Sequence, residues 1–299
     1  MAQSFRQRLL YAWLPRPSVI AFVENQCVEE EIRRKDEILR RWEAARQEFT
    51  AKAPRSFETV SFKAIEDNYS AKLDAIRNDR RFAHTFQQFP TTFEIVEIDK
   101  LIACQATVTM DYAAKLRDGF PERLDLDALI DICLSLDKTV PEVSDIRINE
   151  QTIIYSSENT DFRFLGAIDK PLAEINLDTS STGGIPTRGL VMLFGYGGSP
   201  INVLRVGARI FLHNGFHRVY ALRSAGVTEI PVVVQTVHNP ALEFPAQYQN
   251  IPKDYLLTAD HLPMMEDYLN ENFVIDLRSK ARRRGIKVVV IAEPIDVPL

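Results

Sequence analysis

Between Phe211 and Val234 the sequence reads FLHNGFHRVYALRSAGVTEIPVVV, and this run limits the possible folds more than any other. Its first residues form a short apolar stretch of β type. Asn214-Gly215 tolerates positive φ, so the chain can turn sharply there. From Phe216 onward, Phe216, Val219, Tyr220 and Leu222 fall at helical spacing, and Gly226 is a natural stop just past the helix end. Ile230, Pro231 and Val232 then open a β-branched run. A strand, a tight turn, a short helix and a strand follow within one stretch, so a purely helical or purely β domain is excluded.

The remaining pattern places this run in an α+β chain, because helices come first and strands mixed with helices follow, with few regular βαβ units. Residues 1–22 read as a short amphipathic helix, a break at Pro15 and Pro17, and a second apolar segment. Val28–Lys52 carries Ile32, Leu39, Trp42 and Phe49 on one stripe among dense Glu and Arg, which predicts a helix. That stripe either lies on the domain core or serves as an arm for self-association. Phe62–Phe86 is expected to be helical. Phe93, Ile95, Val96 and Ile98 are β-type, and Asp99 is placed to cap a short helix over Lys100–Ala106. Helices are expected after Met110, in LDLDALIDICLSLD and near Met264–Asn272. Two strands around SSENTD are expected to form a hairpin. DTSSTGGIPTRG reads as a loop, and a last strand is expected at Val288–Ala292.

Composition narrows the functional classes. The net charge is −5, which argues against a duplex-DNA face of the usual basic kind. Cys27, Cys104 and Cys133 are isolated, without CxxC or zinc spacing, as expected of buried thiols in a reducing cytoplasm. No apolar run is long enough to span a membrane, so no membrane partner is expected.

The helix that begins at Phe216 would place the backbone N–H groups of Gly215, Phe216, His217 and Arg218 at its first turn. Such donors lack intrahelical acceptors and lie at the positive end of the helix dipole, which suits an anion. Arg218 adds a planar fork fitted to phosphate oxygens, and His217 adds a group able to donate or move a proton. The same turn is also consistent with an ordinary strand–helix connection carrying two solvated side chains.

The run NGFHRVYALRSAGVTEIPVVV resembles the signature of the ParB N-terminal domain and sulfiredoxin superfamily. The matching positions are Gly215, His217, Arg218, Ala221, Gly226, Ile230, Pro231 and Val232. FEIVEIDKLIACQ looks like the first strand and turn of that family, with Gln105 near a recurrent Gln. The resemblance implies a ParB/sulfiredoxin-like mixed-sheet core over 89–237, preceded by a helical region over 1–88 and followed by an extension over 238–299. It implies phosphate binding by Asn214, Gly215, Phe216, His217, Arg218 and Gln105, with ATP or CTP and Mg²⁺ as the expected ligand. It therefore points to an NTPase or phosphotransferase, or to a non-catalytic binding module on the same scaffold that acts through protein partners. Two departures bear on this. Sulfiredoxins have a Cys where Phe216 stands, so repair of sulfinic acids is not expected. The Glu-Asn-x-x-Arg motif and DNA-reading helices of ParB proteins do not follow Val234.

Glu97 and Asp99 would share one side of a strand. As a carboxylate pair they are the candidates, with His217, for a general base or a Mg²⁺ contact, or else they simply face solvent. FGYGGSP, at Phe194–Pro200, lacks P-loop and dinucleotide spacing and reads as a turn that could line the same pocket. His213 and His217 stand four apart without an HExxH pattern, so no metal site is expected. Arg278, Lys280, Arg282, Arg283 and Arg284 form a basic cluster that reads as a solvated helix end.

Overall fold

A computed structural model describes residues 4–55, 57, 61–137, 139–159, 161–175, 184–244, 247–248 and 251–296. The loop expected at DTSSTGGIPTRG lies, as far as Gly183, outside these. The elements begin with β1 (Ser4–Leu9), α1 (Arg16–Gln26), α2 (Glu29–Arg33), α3 (Lys35–Ala51), β2 (Phe62–Ala64), α4 (Ser70–Asn78) and α5 (Arg80–Phe86). Next come β3 (Thr91–Glu97), β4 (Ile102–Ala103), β5 (Thr107–Thr109), α6 (Met110–Asp118) and α7 (Leu126–Leu134). Four strands follow: β6 (Ser144–Asn149), β7 (Thr152–Ser157), β8 (Phe162–Pro171) and β9 (Arg188–Tyr196). Then come β10 (Asn202–Val206), β11 (Arg209–Asn214), α8 (Phe216–Ser224), β12 (Glu229–Thr236) and α9 (Pro240–Glu243). The chain closes with β13 (Gln247–Tyr248), β14 (Ile251–Pro252), α10 (Lys253–Thr258), β15 (Ile275–Lys280) and β16 (Arg284–Val289).

The architecture is mixed α and β with several separate sheets. It divides into two compact units, Met1–Asp137 with Gly198–Ala281, and Lys138–Gly197 with Arg282–Leu299. These cut across the divisions expected at 88 and 237. β1 and β15 pair from opposite ends of the chain, so the N-terminal region and the C-terminal extension as far as Ala281 belong to one body.

In the first unit a six-stranded sheet runs β2-β3-β12-β10-β11-β4. β12 holds its centre because Ile230, Val232, Val233 and Val234 are all buried, as a β-branched run covered on both faces should be. It pairs antiparallel with β3 and parallel with β10. The β10 ladder starts only at Val233, so Pro231, which has no N–H to give, sits where β3 is the only neighbour. α8 is the crossover between β11 and β12, and its buried Val219, Tyr220 and Leu222 join the core. A three-stranded sheet, β15-β1-β5, carries the chain's first strand at its centre.

Several expectations are corrected. The first segment is a strand, not an amphipathic helix, because two long-range partners satisfy its backbone. Pro15 and Pro17 start α1 instead of breaking a helix, since the first helical turn needs no N–H from them. Phe62–Ala64 is an edge strand on β3, and helix begins only at Ser70. Asp99 opens no helix over Lys100–Ala106: a single 3₁₀ turn, Ile98–Lys100, leads into β4. β7 and β8 flank SSENTD but do not pair. β7 lies between β6 and β16, whereas β8 pairs with β9, so the hairpin is β6–β7 instead. The segment near Met264 is a short 3₁₀ turn, Met265–Leu269. The basic cluster is no helix end, since Arg278 and Lys280 lie on β15 and Arg284 on β16.

The Val28–Lys52 helix is present as α2 and α3, interrupted at Arg34. Its apolar stripe faces inward: Ile38, Leu39, Ala45 and Phe49 are buried, and the Trp42 indole donates to the Leu14 carbonyl at 2.9 Å. The stripe packs on the chain's own core.

Candidate functional site

The turn between β11 and α8 has the backbone anticipated from Asn214-Gly215. Gly215 caps α8 at φ +92°, in the left-handed region. A Cβ there would stand 2.6 Å from Ile201 Cγ1, so both the conformation and the space call for glycine. Asn214 closes the turn by donating its side-chain amide to the carbonyls of Gly198 and Pro200, at 2.7 and 3.1 Å. Residues 198–200 of the glycine-rich loop are thus drawn beside the turn. They present carbonyl oxygens to it instead of N–H groups, so they anchor the turn and do not cradle an anion.

Arg218 is partly buried just inside α8. Its Nη1 donates to the Ile132 carbonyl at the end of α7, at 3.0 Å, and its Nη2 donates to the Ser199 carbonyl. These bonds fix the plane of the guanidinium. Among the described residues no carboxylate forms an ion pair with it. Burial lowers its pKa, but an arginine remains charged throughout the accessible pH range. A fixed, uncompensated positive charge therefore sits at the positive end of a helix whose first amides have no intrahelical acceptor.

His217 has a different role from the one expected of it. Its Nε2 accepts the backbone N–H of Thr109 at 3.0 Å, and the Tyr112 ring meets it edge-on, with centroids 5.4 Å apart. Burial pushes its pKa down to about 4, so the imidazole is neutral at pH 7. It is a hydrogen-bond acceptor that joins α8 to the start of α6, and it brings no charge to an anion. Because the unfolded histidine titrates near 6.5, the unfolded chain binds the extra proton between about pH 4 and 6.5. Stability should therefore fall as pH drops through that window, and the contribution should be fully present above it. We expect the His217 ring resonances to titrate with a midpoint near 4, measured by NMR. A midpoint near 6.5 would show that the ring is not buried in solution.

The other residues of the expected site are dispersed. Phe216 is buried, with its ring edge-on to Tyr268 at 5.2 Å. The Gln105 side chain donates to the Thr107 carbonyl at 2.7 Å, while its backbone carbonyl accepts the Tyr268 hydroxyl. Asp99 pairs with Arg223 through contacts of 2.8 and 3.0 Å. That places it at the C-terminal end of α8, about 9 Å along the helix from His217. Glu97 accepts from the Ser61 hydroxyl at 3.3 Å, at the end of β3. The structure thus brings together Asn214, Gly215 and Arg218, and leaves Glu97 and Asp99 away from them.

The glycine-rich loop that holds Ser199 was expected to be able to line the pocket, whereas sequence reading missed Thr109, Tyr112 and Ile132. Nothing local marks them, since each reaches α8 only through tertiary packing. The three cysteines are buried and unpaired, and burial raises the Cys133 thiol to about 12, which leaves no nucleophilic sulfur near the turn. Among the described residues no three His, Cys, Asp or Glu side chains converge as a metal site. None of their helices is long and apolar enough to cross a membrane. No family model matches the chain, and comparison with curated proteins and with solved structures finds no match.

Proposed function

We propose that the chain binds a nucleotide, with its phosphates at the Gly215–Arg218 turn, on a core of the ParB/sulfiredoxin-like type. The observation that carries this reading is Arg218, a partly buried guanidinium held in place by two carbonyls and facing no carboxylate. Two positive features, the arginine and the N-terminal end of α8, belong to the same turn, and among the described residues no carboxylate pairs with the arginine. A phosphate would supply a counter-charge and accept from the first-turn amides, which have no intrahelical acceptor. The order of β11, turn, α8 and β12 is the one that the superfamily resemblance leads us to expect, and ATP or CTP is the ligand class that it implies.

Mg²⁺ would enter with the nucleotide. The carboxylates expected to meet it, Glu97 and Asp99, are engaged elsewhere, with Ser61 and Arg223. If the protein is an NTPase or phosphotransferase, its own contribution is positioning and charge neutralisation by Arg218 and the α8 amides. A second reading, a binding or regulatory module without turnover, is favoured by one fact: His217, Asp99 and Glu97 all have structural partners, leaving no free general base at the turn.

Calorimetric titration with ATP, CTP and GTP, each with Mg²⁺, tests binding. We expect one of them to bind, and Arg218→Ala to weaken it about 10- to 100-fold, the value of one charge-assisted contact. Arg218→Ala also loses the two carbonyl contacts, so it is measured below its melting temperature and beside Arg218→Lys, which keeps the charge. Failure of all three nucleotides to bind, or unchanged affinity in Arg218→Ala, contradicts the proposal. Phosphate release with the same nucleotides separates the enzyme from the module.

A further inference from the structure

The second unit has little interior. Among its described residues Phe162 is the one fully buried large hydrophobic side chain, whereas Phe164, Leu165 and Leu190 are 51, 53 and 66% exposed. Its longest feature is the ribbon β8–β9, paired from Phe162↔Tyr196 to Pro171↔Arg188. That is about 30 Å of two-stranded sheet, an arrangement only marginally stable alone in water.

The two edges of the ribbon differ. β8 carries Arg163, Asp169, Lys170 and Pro171, the residues that keep an edge strand from pairing with another chain. β9 reads GLVMLFG from Gly189 to Gly195, with no charge and no proline, and among the described residues its outer edge has no ladder partner. Charge also bears on what covers it. Arg163 pairs with Asp161, Arg188 with Asp169 at 2.6 Å, and Lys170 with Glu174 at 3.2 Å. The ribbon thus cancels its own charges, and an acidic or basic partner finds nothing to select. A second copy finds no repulsion there, even though the chain as a whole carries −5. An antiparallel pairing of one edge with itself is self-complementary about a two-fold axis, as a closed dimer requires.

We infer that β9 pairs antiparallel with β9 of a second copy, giving a four-stranded sheet β8-β9-β9-β8 across the two-fold axis. Leu190 and Met192 on one face, and Val191 and Leu193 on the other, would meet their counterparts along that edge, while the Phe194 ring is already stacked on Tyr155 of β7 at 4.8 Å. The inference is independent of nucleotide binding.

Sedimentation velocity of the full chain over a concentration series tests it. The expected species is a dimer of the 34.1 kDa chain. Leu190→Lys and Val191→Lys, one on each face of β9, should each weaken dimerisation at least tenfold with unchanged circular dichroism. Ile146→Lys, at a 57% exposed position on β6, should leave the dimer intact. A wild-type chain that is monomeric at every concentration overturns the inference. So does a dimer that survives both β9 substitutions in folded protein, or an open series of aggregates in place of a dimer.

Discussion

Asp267→Ala is expected to destabilise the first unit by about 3–5 kcal/mol, the cost of removing one partner from a buried ion pair. The Asp267 side chain has no exposed surface. Both of its oxygens accept from Arg55 Nη2 at 2.6 Å, Lys52 reaches it at 3.2 Å, and the Met264 N–H donates to it at 2.8 Å. It therefore ties the end of α3 and the segment after it to the 3₁₀ turn some two hundred residues further on. Alanine would leave a buried N–H without its acceptor and two cations short of a counter-charge. Arg55 would keep only the exposed Glu266. A fall in melting temperature on the order of 10 °C should follow. Asp267→Asn, which keeps the shape and loses the charge, should also be destabilised. A melting temperature within about 2 °C of wild type for Asp267→Ala would show that the network is not formed in solution.

Gly215→Val should have a comparable effect, and at the functional turn. The left-handed conformation alone costs an L residue about 1–2 kcal/mol, and more when it is β-branched. The new Cβ would also stand 2.6 Å from Ile201 Cγ1 and 3.3 Å from the Ile201 Cα, and the backbone contact cannot be relieved by a rotamer change. Both stability and nucleotide affinity should fall, because the amides of α8 are aimed by this turn. Gly215→Ala should show the same losses in smaller measure. In Gly215→Ala/Ile201→Ala the closest contact, that with Ile201 Cγ1, should be relieved while the contact with the Cα and the conformational part stay, giving a favourable coupling in a double-mutant cycle. Simple additivity there would mean that Ile201 does not confine the turn.

The strand, turn, helix and strand around Gly215 were legible because each signal is local: a positive-φ pair, helical spacing, a stop glycine and a β-branched run. The amphipathic helices α3, α6 and α7 were legible for the same reason. The misread segments depend on distant partners. Ser4–Leu9 has an apolar pattern too short to separate helix from strand, and β15, more than 260 residues away, decides it. β7 and β8 look like a hairpin locally but find other neighbours, β16 among them, near the end of the chain.

The site divides in the same way. Gly215 and Arg218 could be picked out from their own neighbourhood. The bond from Thr109 that makes His217 an acceptor spans 108 positions, and that from Arg218 to Ile132 spans 86. Glu97 and Asp99 share a short sequence stretch with no feature to show that Arg223 and Ser61 would engage them. Residue type and spacing indicate which groups can do chemistry, whereas tertiary contacts decide which of them remain free.

The backbone amides at the start of α8 are the most direct reporters of phosphate binding. In ¹H–¹⁵N spectra of the labelled chain titrated with the nucleotide that binds, the largest shifts should fall on Gly215, Phe216, His217 and Arg218 and saturate at the calorimetric affinity. Binding that leaves those four resonances unmoved while others shift would contradict a phosphate site at this turn.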